Sequence, residues 1–208
     1  MELDFRKLLI TKLFDFSKEE ETLIFKVYDT LFEIYNISVI EIENSPYHQF
    51  LSDKTDLLKT PKICYYITNK SNTNSFYLFI INRIGTTFRG ARSTDKDDTL
   101  EIWGLKKLEE DFEFISIHKK KLADSIAGIF NSPPLHFKEN KDFKNFYVWG
   151  SNPYKTMDFL TPTRKKIIQS FPDKDFRLEV KNTILSMGLS KELNVNNTLS
   201  IAKFLEEI

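Results

Sequence analysis

Behind Ser17 the apolar residues return at steps of three and four. Leu23, Ile24, Val27, Tyr28, Leu31, Ile34 and Tyr35 fall on one side of a helix, with Glu19, Lys26, Asp29 and Glu33 on the other. Ser17 and Glu20 have the spacing of a capping box, in which hydroxyl and carboxylate each take a backbone N–H at a helix start, so the helix is predicted to open there. From residue 37 the period changes. Ile37–Ile42, Ile63–Thr68, Phe76–Ile81, Thr99–Trp103 and Phe112–Ile117 are short β-rich runs, and polar Asn69–Ser75 joins two of them as a hairpin turn does. Phe76 to Ile81 is apolar without alternation, which predicts a central strand covered on both faces. Ala91–Asp98 is charged, with little to pack, and is expected to be an exposed hairpin loop.

A further helix is predicted over Lys119–Phe130, closed by Asn131-Ser132-Pro133-Pro134 because a proline pair cannot continue it. Residues 131–142 then serve as a connector. The stretch 1–130 holds the first helix, the antiparallel sheet and this helix, and 143–208 holds a strand-helix-hairpin-helix unit; one domain and two both fit. In the second stretch a strand is expected at Phe146–Trp149, a helix opened by Thr161 as N-cap with Pro162 in its first position, strands near Phe176–Lys181 and Ile184–Met187, and a last helix from about Thr198, docked through Leu199, Ala202 and Leu205. The fold class that follows is α+β, a mainly antiparallel sheet with N-terminal, central and C-terminal helices packed against it.

Composition narrows the function classes. A hydrophobic share of 41% with 19 Phe gives a 208-residue chain enough apolar surface to fold, which excludes intrinsic disorder. Thirty basic and thirty acidic side chains cancel, so no global field draws the molecule to nucleic acid or anionic lipid. The single Cys64 excludes an intramolecular disulfide, and with only three His it leaves carboxylate-rich or mixed metal sites alone open. No run of about 18 apolar residues stands anywhere, and Met1-Glu2-Leu3-Asp4 lacks the basic start of a signal peptide, so a soluble cytoplasmic protein is expected, without a transmembrane segment. Abundant Lys, Asn, Ile and Phe suggest an AT-rich coding source, bacterial or phage.

The sharpest enzymatic candidate is Glu179-Val180-Lys181. A Glu-x-Lys on a strand puts carboxylate and ammonium on one face, as nucleases of the PD-(D/E)xK type use to hold Mg²⁺ and orient the attacking water; Asp158 is the candidate further metal carboxylate. Against it stands the ordinary amphipathic strand, with Phe176, Leu178 and Val180 in the core and Arg177, Glu179 and Lys181 wet, and this is the favoured reading. His48, His118 and His136 are scattered, Cys64 sits in an apolar run where a thiol stays un-ionised, and Ser45, Ser93 and Ser151 lack a nucleophile-elbow frame. No glycine-rich phosphate loop exists, and no nucleotide cofactor is expected. Arg83, Arg89 and Arg92, with Phe88 among them, could grip nucleic acid or another anionic ligand, but Asp95, Asp97 and Asp98 follow and partly cancel their field. The triplets Lys119–Lys121 and Arg164–Lys166 read as water-facing helix sides. The aromatic residues are mostly assigned to the core, with Tyr154, Tyr47 and Phe88, in loop-like contexts, as the candidates for partner contact.

Phe146-Tyr147-Val148-Trp149-Gly150, then Phe159-Leu160-Thr161-Pro162 opening a helix, then the paired strands around Arg177–Met187, resemble the soluble part of an uncharacterised bacterial membrane-associated domain family. The likeness covers about 45 residues. It implies a sheet-and-helix arrangement and no catalytic residues, and that family's usual members carry transmembrane helices where this chain has none. The expectation from all of this is a non-enzymatic protein that acts by protein–protein contact, immunity-like or accessory, with its partner unidentified and its oligomeric state open. The competing readings are the Mg²⁺-dependent nuclease and the anion or nucleic-acid binder.

Overall fold

The computed structural model describes residues 16–50, 59–83, 86–89, 93–96, 98–120, 143 and 145–208. Helix α1 (Lys18–Ile34) opens on the predicted box: Ser17 Oγ accepts from the Glu20 N–H at 3.2 Å, and the Glu20 carboxylate accepts from the Ser17 N–H at 2.8 Å. Ile24, Val27 and Leu31 are its buried side. Strand β1 (Asn36–Ile40), a short helical turn at Ile42–Asn44 and helix α2 (Tyr47–Phe50) follow. Then come β2 (Lys59–Thr68), β3 (Ser75–Arg83), β4 (Thr86–Arg89), β5 (Ser93–Lys96), β6 (Thr99–Lys107), β7 (Phe114–Lys119) and β8 (Phe146–Gly150). Helices α3 (Pro153–Phe159) and α4 (Pro162–Ser170), strands β9 (Phe176–Lys181) and β10 (Ile184–Glu192) and helix α5 (Val195–Glu207) complete the order.

Eight strands form one sheet in the order β1-β2-β3-β6-β10-β9-β7-β8, with antiparallel pairing throughout. The protein is an α+β fold of the expected kind, with N-terminal, central and C-terminal helices against the sheet. β10 joins its two parts. It leaves β9 through a tight turn in which Asn182 takes φ 53°, a left-handed conformation that Asn tolerates better than most residues, and it inserts between β9 and β6. None of the described helices is long and apolar enough to cross a membrane.

Three expectations need correction. Ser93–Lys96, read as loop, is strand β5, paired with β4 from Thr86↔Lys96 to Arg89↔Ser93; Thr86, Thr87 and Phe88 of β4 are residue types that favour strands. The helix predicted from Lys119 does not begin there, because Lys119 ends β7 in register with Phe146; residues 121–142, with the rest of that helix and the connector, lie outside the described residues. Helix α3 was not foreseen, although Asn152-Pro153 repeats the N-cap-plus-proline signal of Thr161-Pro162: Asn152 Oδ1 accepts from the Tyr154 and Lys155 N–H groups.

One sheet face carries the main core. Ile63, Tyr65, Ile67, Phe76, Leu78, Ile80, Ile102, Ile115, Ile117, Leu178, Val180, Leu185 and Met187 meet α1, α3, α4 and α5 there. α5 can lie directly on β6 because Gly104 has no Cβ, which would collide with Leu205. The C-terminal carbonyls of the flanking helices are capped by cations, as the macrodipole favours: Lys70 Nζ donates to Tyr35 O at 2.8 Å, and Lys106 Nζ to Leu205 O at 2.8 Å.

A candidate recognition face

The strand register fixes what the opposite sheet face presents. Across it run the rows Ser38–Tyr66–Tyr77–Leu105–Ser186–Glu179–Ser116–Trp149 and Ile40–Cys64–Phe79–Trp103–Gly188–Arg177–His118–Tyr147. Alternation along each strand gives all of these side chains one direction. The two halves of the face then differ. Over β2, β3 and β6 the chain passes back through Ile42 and Tyr47, and Cys64, Phe79, Ile81, Trp103, Leu105 and Ile184 form a second core beneath. The Tyr47 ring lies 5.3 Å from that of Phe79. Burial pushes the Cys64 thiol up to about 12 against a smaller opposite effect of a hydrogen bond with Ser45, so it stays un-ionised as expected. Tyr47, an expected partner contact, is instead a buried part of this cover.

Trp103 marks the seam. Its indole lies over Gly188, where a Cβ would stand 2.5 Å from the ring, so only glycine lets the tryptophan of β6 lie flat across β10. Beyond the seam no described helix packs on the face. Here β9 presents Arg177, Glu179 and Lys181, β7 presents Phe114, Ser116 and His118, and β8 presents Tyr147 and Trp149. The rings pair across the strands: Phe114 and Trp149 meet edge to face at 4.9 Å, and His118 and Tyr147 are tilted at 5.4 Å. Lys120 Nζ sits 5.1 Å from the Tyr147 ring centre, within cation–π range. All four ring-bearing residues are half-buried, so each keeps part of its surface in water. Ser186 lies buried at the edge of the seam.

The sequence candidates fall in different places. Glu179 and Lys181 do share this face, but the Glu179 carboxylate is held by its neighbour Arg177, at 2.6 Å to Nη2 and 2.7 Å to Nε. Asp158 is exposed on α3, which packs on the other side of the sheet through Phe159, so the structure does not bring it to the Glu179–Lys181 pair. Among the described residues no cluster of His, Cys, Asp and Glu is placed to hold a metal ion. Arg83 is engaged by the buried Glu101 carboxylate at 3.2 Å, at the root of the β4–β5 ribbon. Phe88 and Arg89 belong to β4, while Arg92 and His136 lie outside the described residues. Tyr154 stands in solvent on α3.

Sequence reasoning missed Tyr147, Trp149 and Phe114 as surface groups. The signal was present, since Phe146 and Val148 alternate with Tyr147 and Trp149, but aromatic residues in a strand read as core from either parity. Comparison of the chain with family models, curated proteins and solved structures finds no match in any of the three. The likeness around Phe146–Gly150 therefore stays one of pattern alone, and function has to be argued from this face.

Proposed function

We propose that the protein is a non-enzymatic recognition module, immunity-like or accessory, that binds a partner protein on the half of its sheet that no described helix covers. The observation that carries this reading is the row of rings on β7 and β8, side by side on a face that, among the described residues, has a cover only as far as Trp103. Trp, Tyr and Arg are the residue types that dominate interface energies, because they bring large area with few rotors and a polar edge for hydrogen bonding. Phe114, Tyr147 and Trp149 supply the area, and His118, Ser116, Arg177 and Lys181 supply directional groups between and beside them. The backbone beneath is pinned, since β7 bonds to both β8 and β9, so little order remains to be imposed on binding.

The test compares the wild-type chain with the Tyr147→Ser/Trp149→Ser double variant as bait in host lysate, with quantitative mass spectrometry. A partner retained by the wild type should fall about tenfold or more in the variant, the range of a lost hot spot. Identical protein sets on both baits would refute the reading. A titration with single-stranded oligonucleotide separates the anion-binding alternative: binding that weakens steeply with salt and depends on the same rings would transfer the face to nucleic acid.

A further inference from the structure

β1 is the outermost strand of the sheet, at the end opposite to β8 and the ring-bearing half of the face. In antiparallel pairing a strand bonds through alternate residues to its two neighbours. The Asn69 N–H donates to Asn74 O at 3.1 Å, so in the same register Ile67 and Tyr65 of β2 bond to β3. Thr68, Tyr66 and Cys64 are then the residues that bond to Asn36, Ser38 and Ile40 of β1. The backbone N–H and C=O groups of Ile37 and Val39 therefore point out of the sheet, and among the described residues no strand pairs with them. Sheets guard such an edge with a charge, a proline or a bulge, because unpaired backbone groups recruit another strand. Asn36-Ile37-Ser38-Val39-Ile40 contains no charge and no proline, and its register with β2 runs without a shift.

The helix above this edge is unfinished in the same direction. The Tyr28 ring of α1 lies 6.0 Å from that of Tyr65 on β2, and Phe32 stacks on Tyr28 at 5.9 Å. Leu23, on the other flank of α1, borders a hollow with Leu100 of β6, so the Tyr28–Phe32 flank is the one turned to the β1 end of the sheet. Phe32 is 52% exposed, and Ile37 and Val39, on the same side of the sheet, are only partly buried.

We propose that this edge pairs with the same edge of a second copy, in an antiparallel two-fold dimer that joins the two eight-stranded sheets. The outward backbone groups call for a strand, and β1 is complementary to itself. With the axis at Ser38, Ile37 stands opposite Val39 of the partner subunit, and the symmetric pair does the same. Each pair exchanges both N–H···O bonds through the groups that point outward, and the two Ser38 residues form the non-bonded pair between them. Parity is kept, so Ile37 and Val39 of both copies lie on the helix side, and no charged residue of β1 meets its like across the axis. Phe32 of each copy then faces the other α1 instead of water. The site lies at the far end of the sheet from Tyr147 and Trp149, and each can fail without the other.

Sedimentation equilibrium of the full chain over a concentration series tests the pairing, and oxidative crosslinking tests its register. The expected result is a monomer–dimer equilibrium. Ile37→Pro removes one outward donor from each copy at an edge position where proline is tolerated, and should weaken the dimer about tenfold or more. Ser38→Lys, at an exposed position, sets like charges opposite each other and should weaken it severalfold with the circular dichroism spectrum retained. Trp149→Ser should leave it unchanged. Ser38→Cys should crosslink to a dimer with copper–phenanthroline, since the Cα atoms of a non-bonded pair stand about 4.5 Å apart, within disulfide reach. Asn36→Cys, which faces Ile40 of the partner subunit, should not. A monomer at every concentration, a dimer indifferent to Ser38→Lys, or crosslinking from Asn36→Cys equal to that from Ser38→Cys would each overturn the proposal.

Discussion

Both halves of the sheet face turned away from α1 and α5 obey the same alternation, yet they end differently. On β2, β3 and β6 the outward positions include Cys64, Phe79, Ile81, Trp103 and Leu105, beside Tyr66, Tyr77 and Glu101, and the chain returns through Ile42 and Tyr47 to pack on the apolar ones. On β9, β7 and β8 they are Arg177, Glu179, Lys181, Phe114, Ser116, His118, Tyr147 and Trp149, beyond the reach of that cover. Cys64, Phe79, Ile81 and Leu105 lose by staying wet, at about 25 cal/mol per Å² of apolar surface, which favours closing the first half. On the other half Tyr147 and Trp149 carry O–H and N–H groups and stand with Phe114 among Ser116, His118, Arg177 and Lys181, and a ring edged by polar groups tolerates a half-wet state. The residue types at outward positions thus differ between the half that is core and the half that keeps contact with water.

The largest expected effect breaks the covered half. Phe79→Ala removes a fully buried ring beneath Tyr47 and should lower stability by about 3–5 kcal/mol in urea unfolding, whereas Trp149→Ser on the open half should change it by about 1 kcal/mol and act on partner binding instead. Equal losses would erase the distinction. Gly188→Val attacks the seam. The new side chain must displace the Trp103 indole, which should cost about 1–3 kcal/mol and alter the Trp103 fluorescence in a Trp149→Phe background. A neutral substitution would mean that the indole does not lie across β10.

Cys64 reports on the cover itself. With its thiol buried and pushed up to about 12, it should resist thiol reagents in the native protein at neutral pH, while Tyr47→Gly should raise the labelling rate about tenfold or more without global unfolding. Fast labelling of the wild type would show that the cover is not closed.

The smallest effect lies outside both halves, at the Asp173–Lys191 pair (2.6 Å). Partial burial raises the Asp173 pKa, but hydrogen bonds from Lys191 and from the Asp175 and Lys174 backbone outweigh it and hold the carboxyl below its ordinary value. A depressed folded-state pKa contributes stability that is present above the unfolded value, about 3.9 for Asp, and lost as pH falls through the folded one. The stability gap between wild type and Asp173→Asn should therefore be small, about 1 kcal/mol or less for a pair this exposed, and should close below about pH 4. A gap that widens in acid would contradict the assignment.

Local chemistry was legible in the sequence. The Ser17–Glu20 box and the Thr161-Pro162 start both open helices where expected, and the unalternating run from Phe76 to Ile81 is a strand with buried residues on each face. The sheet order was not, because placing β10 between β6 and β9 depends on pairings far apart in sequence that no local pattern records. For the same reason the open face was invisible: Phe114, Trp149, His118 and Tyr147 become neighbours only once β7 and β8 pair across residues 120–145. Glu179 and Lys181 share one face, as the period of a strand requires, but a spacing could not reveal that Arg177 holds the largely buried carboxylate.

The measurement that bears most directly on the account is photo-crosslinking in the host. A benzophenone amino acid is placed at Tyr147, at Trp149 and, for comparison, at exposed Lys166 on the helix layer. Covalent adducts to one protein from positions 147 and 149, with none from 166, are the predicted result. Adducts from 166 alone, or the same adducts from all three, would contradict recognition through the open half of the sheet.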